Sequence, residues 1–270
     1  MDALDMHGGL GGAMALTFGY ARNPLRVGGG AQRLSVVSDE AFGDVGAALT
    51  YDRFRLYLDL TMPLLVQGQS GTIGGYSFTA PSLNLAQNPD TISDPRLGFD
   101  VRIFGGPDRG FRLGAGAQLF APNGDRADYD TDQTFRAMLR VLFAGDARHF
   151  AYAGHLGVHV CPLDEAPTPW SPHGHELLFG FAAGAKLSFG RDAGWRAVLG
   201  PEVYGATALR SLFGASYTAV EGLLSARFEG TADTGLQMRV KLGSGIGSDQ
   251  TFGAPAFRAV LGVEIFAHRP

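Results

Sequence analysis

The chain has 270 residues, of which 18% are charged, and its formal net charge is -4. This balance excludes a general nucleic-acid-binding protein, which would carry a basic surplus, and the single cysteine, Cys161, excludes an internal disulfide framework. No run of 18 apolar residues occurs, so the sequence predicts no transmembrane helix.

Alternation of apolar and polar residues recurs along the whole chain. In the stretch FRLGAGAQLF, Phe111, Leu113 and Leu119 form one row, whereas Arg112 and Gln118 belong to the other. A period of two residues is typical of a strand whose two faces meet different surroundings. The pattern predicts twelve strands of about ten residues or more, which is the length that crosses a bilayer at a tilt. Their cores are 11–22, 42–52, 53–65, 95–105, 110–121, 133–145, 149–161, 175–190, 194–209, 217–229, 234–247 and 255–268.

The connections between these strands alternate in length. The short ones, rich in Gly and Asp, are 52–53, 105–110, 145–149, 190–194 and 230–235, and the long ones are 23–41, 66–94, 122–132, 162–174, 210–216 and 248–254. Short turns on one side and long loops on the other are typical of outer-membrane barrels. We therefore predict an all-β fold: a 12-stranded antiparallel transmembrane β-barrel with short periplasmic turns and longer extracellular loops. Residues 1–270 form its single domain, with no periplasmic domain following.

The apolar row can face either lipid or the core of a soluble β-sandwich or barrel. Aromatic residues on this row flank the short turns, as in the girdle of rings at a membrane interface. This observation favours lipid, although a soluble barrel remains the alternative. The predicted girdle consists of Tyr51, Phe54, Phe111, Phe143, Phe150, Phe189, Trp195 and Phe228.

The polar row carries isolated charges that a barrel interior can hold in pairs and with water. The predicted lumen charges are Arg55, Asp59, Asp100, Arg102, Arg112, Arg136, Arg140, Lys186, Arg196, Glu202, Glu221, Arg227, Arg239, Lys241, Arg258 and Glu264. With Glu176 added, eleven cations face six anions, so the surplus cations need water, loop carboxylates or an anionic ligand. Because these long side chains occupy much of a twelve-stranded interior, we predict a lumen that is narrow or blocked and rich in arginine.

Two segments carry a family resemblance. The stretch from Tyr20 to Leu25 and the stretch LDLTMPLLVQGQ at 58–69, followed by Asp94-Pro95-Arg96, resemble the N-terminal transmembrane barrel of myxobacterial-type OmpA-family proteins. The resemblance covers roughly the first hundred residues. It implies a barrel that anchors a cell-envelope protein, with peptidoglycan as a partner through a further domain that is absent from this chain.

One group of side chains suits a metal, although we predict no metal site. His155, His159 and Cys161 share a strand face, and His173, His175 and Glu176 open the next strand. Imidazole and thiolate are ligands for zinc or copper. Hydrogen-bonded lumen histidines beside a small buried thiol are the favoured interpretation.

Three functions follow from these patterns. The first is the membrane anchor of an OmpA-like protein; the alternative is a small anion-preferring pore or ligand-specific transporter. The third is an outer-membrane enzyme, which we do not predict because Ser188 and Ser225, the polar-row nucleophiles, have no histidine at an obvious matching depth. We expect no cofactor; the expected partners are outer-membrane lipids and small anionic solutes, and the expected location is the outer membrane of a Gram-negative bacterium.

Overall fold

The computed structural model describes residues 6, 8–29, 32–87, 91–106, 110–162, 174–188, 195–215, 217–231, 236–248 and 253–269. Fifteen strands occur in these ranges, together with two single turns of 3-10 helix, Arg126–Asp128 and Leu209–Ser211. The strands are β1 Leu10–Gly29, β2 Gln32–Tyr51, β3 Phe54–Gln67, β4 Gly71–Ile73, β5 Tyr76–Phe78, β6 Ser82–Asn84, β7 Arg96–Phe104, β8 Phe111–Phe120, β9 Arg136–Asp146, β10 Phe150–Val160, β11 Glu176–Ser188, β12 Arg196–Ala208, β13 Thr218–Thr231, β14 Gln237–Gly247 and β15 Phe257–Arg269.

Twelve of the strands close into one antiparallel barrel. β1 pairs with β2 on one side and with β15 on the other, so that Leu10 lies opposite both Tyr51 and Arg269. Each remaining long strand pairs with its neighbours in chain order, and β3 pairs directly with β7. The twelve-stranded antiparallel barrel predicted from the sequence is confirmed. Among the described residues, no helix has the length and apolar character needed to cross a membrane.

The segment 23–41 is not the long loop that the sequence predicts. β1 and β2 continue through it as a hairpin in which Val27 lies opposite Leu34. The Arg-Asn-Pro stretch indicates a loop because proline cannot donate to a strand ladder. In the structure, the register shifts between Arg22 and Leu25, and Asn23 takes a positive φ of 51°. This bulge accommodates Pro24 without ending the strand.

The segment 66–94 contains three short strands that the sequence analysis does not predict. β4 and β5 form a small hairpin, and β6 pairs with the outer end of β3, where Val66 lies opposite Leu83. Leu83 packs with Val37 and Val66 in a buried apolar cluster, against which Leu25 also packs. The described part of this loop therefore lies on the extended β1–β3 wall and stiffens it.

The apolar row points away from the barrel axis. Its side chains are exposed on every one of the twelve barrel strands, for example Met14 on β1, Leu139 on β9 and Leu224 on β13. A continuous belt of this kind would aggregate in water, whereas acyl chains solvate it at no cost. The barrel is therefore a transmembrane one, with its polar row enclosed.

The predicted girdle residues divide into three groups. Tyr51, Phe54, Phe111, Phe150 and Trp195 are exposed at the short-turn ends of their strands. Phe143 and Phe228 are only half-buried, and Phe143 stacks on Phe181 with 6.4 Å between ring centroids. Phe189 lies outside the described residues.

Trp195 gives a direct test of the bilayer position. Its side chain is 41% exposed beside the start of β12, and its ring covers Gly230, where a Cβ atom would overlap it. We expect lipids brominated near the headgroup to quench Trp195 fluorescence more than lipids brominated at mid-chain, because an indole ring prefers the interface. The measurement uses a Trp170→Phe background so that Trp195 is the single emitter. Stronger mid-chain quenching would contradict this placement.

Candidate functional site

The candidate site is the lumen, where the inward-pointing row brings charged groups together. Besides the residues predicted from the sequence, the same row holds Arg96, Asp44, Asp146 and Glu229, each in an ion pair. These acids were not predicted because they lie at strand ends or beside glycine. Asp146 and Glu229 are nevertheless at even spacing from Arg140 and Arg227, which places each pair on one face. With Glu40, which lies on the same row opposite the buried Ala21, the inclusion of these four residues lowers the excess of cations over anions from five to two.

The lumen charges are segregated along the barrel axis. Eight cations and three anions lie within four residues of the short-turn end of their strand: Arg55, Arg102, Arg112, Lys186, Arg196, Arg227, Arg239 and Lys241, with Asp100, Asp146 and Glu229. The outer part of the same row has the opposite balance, with four cations and seven anions: Arg96, Arg136, Arg140 and Arg258, with Glu40, Asp44, Asp59, Glu176, Glu202, Glu221 and Glu264. The periplasmic end is therefore positive and the outer part is negative.

A cavity of about 410 Å³ occupies the periplasmic half of the lumen. Its charged lining residues are Arg112, Lys186, Arg196, Arg227, Arg239 and Lys241, with Asp146, Glu202 and Glu229. The side chain of Arg196 at its rim is 67% exposed, so the cavity is wet at the short-turn side. Cations outnumber anions two to one in the lining, which makes the cavity a region of positive potential.

A ladder of alternating charges forms one wall of this cavity. Arg196, Glu229, Arg239 and Glu264 lie directly opposite one another on β12 to β15. Glu229 Oε1 accepts from Arg239 Nε at 2.6 Å, and Glu264 Oε2 accepts from Arg239 Nη1 at 3.1 Å. Opposite charges at facing positions stabilise a strand pair, so the ladder fixes Arg239 between two carboxylates.

A second charge network covers the opposite wall, over β3 and β7 to β9. Asp100 has no exposed surface and accepts from Arg55 Nε at 3.1 Å and from Arg140 Nη2 at 3.1 Å. Arg140 also donates to the Tyr57 hydroxyl at 2.5 Å. Tyr57 lies flat over Gly98, and Asp100 over Gly116, at positions where any Cβ atom would overlap them. The two glycines thus allow this network to lie close against the wall.

The outer part of the lumen holds smaller pairs. Asp44 accepts from Arg96 Nη2 at 2.5 Å, and Glu221 accepts from Arg258 Nε at 2.7 Å. Glu202 accepts from the Ser225 hydroxyl at 2.5 Å and also bonds the hydroxyl of Tyr204. The hydroxyl of Ser225, considered above as a nucleophile, thus donates a hydrogen bond to a carboxylate.

Several predicted lumen charges have partners that the sequence does not indicate. Arg102 donates to the backbone oxygen of Met6, which packs against Leu142, Ala144 and Ala153 inside the barrel. Lys186 pairs with Asp146. Arg112 is buried in the cavity lining, whereas Asp59 lies opposite Arg96 in the strand register.

At the outer end, the loop carboxylate Asp94 ties two loops to β9. It accepts from the backbone amides of Asn123 and Gly124 at 3.0 and 3.2 Å, and from Arg136 Nη2 at 2.7 Å. Burial raises the pKa of Asp94. The hydrogen bonds from Thr131, Asn123 and Gly124 and the charge of Arg136 together lower it by more, so the pKa lies below its usual value. Asp94 is therefore an ionised structural group at the outer mouth.

The weak metal candidates do not converge. His159 Nδ1 lies 3.3 Å from Glu176 Oε2 and its ring meets Phe120, whereas Cys161 Sγ contacts Asp132 at 3.8 Å. His173 lies outside the described residues. Within the described ranges, His155, His175 and the other histidine, cysteine and carboxylate side chains form no group of three that could hold a metal ion.

Comparison with solved structures finds the same type of fold in outer-membrane β-barrel proteins. The COG4313 outer membrane channel from Pseudomonas putida F1 superposes with a TM-score of 0.59 at 14% identity, covering 99% of each chain. No protein-family model matches the sequence, and neither does any curated protein. The comparison supports a barrel similar to channels and porins and gives no support to the OmpA-family resemblance. With the apolar belt, the fold indicates the outer membrane of a Gram-negative bacterium as its location.

The prediction that the chain is not an enzyme is corrected by the same comparison. Solved barrels that match this chain include LpxR from Salmonella typhimurium, a lipid A deacylase, at 8% identity and a TM-score of 0.44, with 94% of this chain and 100% of that chain covered. A likeness of this degree transfers no activity to the present chain.

Proposed function

We propose that the protein is a narrow, anion-preferring outer-membrane pore. The observation that carries the proposal is the 410 Å³ cavity in the periplasmic half of the lumen, whose lining has six cations and three anions. A positive constriction with walls of low dielectric constant raises the local concentration of anions and excludes cations. Similarity of the fold to an outer-membrane channel supports the same function.

The pore is narrow because charged side chains occupy much of its cross-section. Barrels of eight strands are filled by side chains and barrels of sixteen hold an aqueous channel. A twelve-stranded barrel lies between them, and here Tyr57 and Arg140 extend from one wall while Arg239 extends from the other. Small solutes are therefore the transported class.

The second candidate is a membrane anchor, the role that the OmpA-family resemblance implies. The observation that favours it is the Asp100 network, in which the carboxylate is fully buried and bonded to two arginines. Ion pairs packed in this way can fill a lumen at one level and stop conduction. Peptidoglycan would then be a partner through another part of the envelope protein.

Planar-bilayer recordings test the pore. In a potassium chloride gradient, we expect a low conductance whose reversal potential indicates preference for chloride, because the periplasmic end carries the surplus cations. Arg196→Glu reverses one charge at the exposed rim and is expected to lower this preference.

The matched control is Arg53→Gln in the β2–β3 turn, whose side chain is 57% exposed and outside the cavity lining. This variant is expected to keep the reversal potential of the unmodified barrel. Absence of channels would favour the anchor. A large cation-selective conductance would reject both candidates.

A further inference from the structure

One position in the lumen places two like charges face to face. Arg227 on β13 and Lys241 on β14 are directly opposite in the register, and both line the periplasmic cavity. Like charges at facing positions destabilise a strand pair. Their row continues with Val198 on one side and Gly262 on the other, so it contains no carboxylate across these four strands.

The neighbouring ladder cannot neutralise this pair. Glu229 already contacts three guanidinium groups, those of Arg239 at 2.6 Å, Arg227 at 3.0 Å and Arg196 at 3.9 Å. Glu264 is shared between Arg239 at 3.1 Å and Lys241 at 3.2 Å. Glu229 and Glu264 are thus shared among four cations, and the cavity lining as a whole has three more cations than anions.

Arg227 presents its guanidinium group to the cavity. Its Nε atom is buried 3.0 Å from Glu229 Oε1, in an ion pair that lacks the alignment of a hydrogen bond. Guanidinium groups bind planar or tetrahedral oxyanions through two parallel hydrogen bonds.

We infer that Arg227 and Lys241, with Arg196 at the rim, form a binding site for a soluble dianion that carries a phosphate group. A dianion compensates two of the three surplus positive charges of the lining, whereas a monovalent anion compensates one. The cavity has room for a phosphate monoester as well as for inorganic phosphate, since its volume of about 410 Å³ falls in the range of small-molecule pockets. The inference rests on the proposed pore only for its role in transport, where the site would concentrate such solutes at the periplasmic end.

Isothermal titration calorimetry of the folded barrel in uncharged detergent micelles tests the site. The probe is inorganic phosphate at pH 8 and constant ionic strength. We expect saturable binding, which sulfate competes for and chloride does not. In the Arg227→Gln/Lys241→Gln double variant, binding should weaken at least about tenfold, a loss of about 1.4 kcal/mol. Arg53→Gln, outside the lumen, should bind as the unmodified barrel does.

Other results would overturn the inference. Equal competition by chloride would indicate diffuse screening and no site, and unchanged binding in the double variant would place the ligand elsewhere. Displacement of phosphate by phosphatidylglycerol added to the micelles would assign the site to a lipid headgroup. If the double variant does not fold, as judged by the heat-dependent mobility of the barrel on gels, Lys241→Gln alone serves, with the same expected direction.

Because the titration needs no membrane, it separates the two proposals. A barrel that conducts chloride but binds no phosphate would reject the site and keep the pore. A barrel that binds phosphate without conducting would reject the pore and keep the site.

Discussion

Replacing Asp100 with asparagine is expected to lower the free energy of unfolding by about 3–5 kcal/mol, the usual effect of breaking a buried ion pair from one side. Asp100 has no exposed surface and accepts from both Arg55 and Arg140. The asparagine amide is nearly the same size but carries no charge, so two guanidinium groups would lose their common counter-ion. Urea or guanidinium unfolding in lipid vesicles, followed by tryptophan fluorescence, measures the change.

The control for this variant is Asp52→Asn in the β2–β3 turn. Asp52 also pairs with an arginine, Arg53, at 3.4 Å, but both side chains are more than half exposed. A solvent-exposed pair contributes about 0–1 kcal/mol, so this variant should be nearly neutral. If the uncompensated charge of the arginines causes the lower free energy of unfolding in Asp100→Asn, adding Arg140→Met to that variant should restore part of the lost stability. Equal effects at Asp52 and Asp100 would contradict the network.

The strands were predictable because their period of two residues is a local property. In a membrane barrel, one face of every strand contacts lipid and the other faces the polar interior. The alternation within each segment therefore indicates which of its residues face lipid. The error at 23–41 has a local cause as well. Asn23 and Pro24 indicate a turn, whereas pairing along the full length of β1 and β2 overrides that preference through a bulge.

The lumen network was only partly predictable because it depends on register. Glu264 and Arg239 are on the same predicted row, and the register places them face to face with a bond at 3.1 Å. Asp59 and Arg102 are on that row too, but the register separates them, because Asp59 lies opposite Arg96. The separation of six positions from Arg96 to Arg102 spans about 20 Å along a strand, beyond the reach of these side chains.

The cavity and its like-charged pair could not be read from the sequence. Arg227 and Lys241 are 14 residues apart in different strands, and whether they meet depends on the β13–β14 turn. The nearest sequence signal is the spacing of Arg227 and Glu229, which places both on one face. That signal indicates a shared wall but not the three cations that converge on Glu229.

Replacing Leu242 with arginine tests whether the apolar row faces lipid. The substitution lies near the bilayer midplane, where a charge on the lipid face costs the most free energy. Leu242 is midway along β14, 45% exposed on the apolar row. An arginine on the lipid face at the bilayer midplane costs about 2–4 kcal/mol, since its guanidinium group must remain hydrated. We expect this loss in the free energy of unfolding in vesicles.

Leu236→Arg is the matched control, because it makes the same substitution on the same face, just before β14 begins. Leu236 is 38% exposed beside the short turn, where the corresponding cost falls to about 0–1 kcal/mol. Six residues span about 20 Å along the strand, which a tilt of about 40° converts to about 15 Å toward the interface, so the difference between the two variants measures the effect of depth. If both substitutions cost the same, the belt does not span a bilayer. If Leu242→Arg is neutral, the apolar row does not face lipid, and the enclosed charges on which the pore and its anion site depend would face the membrane.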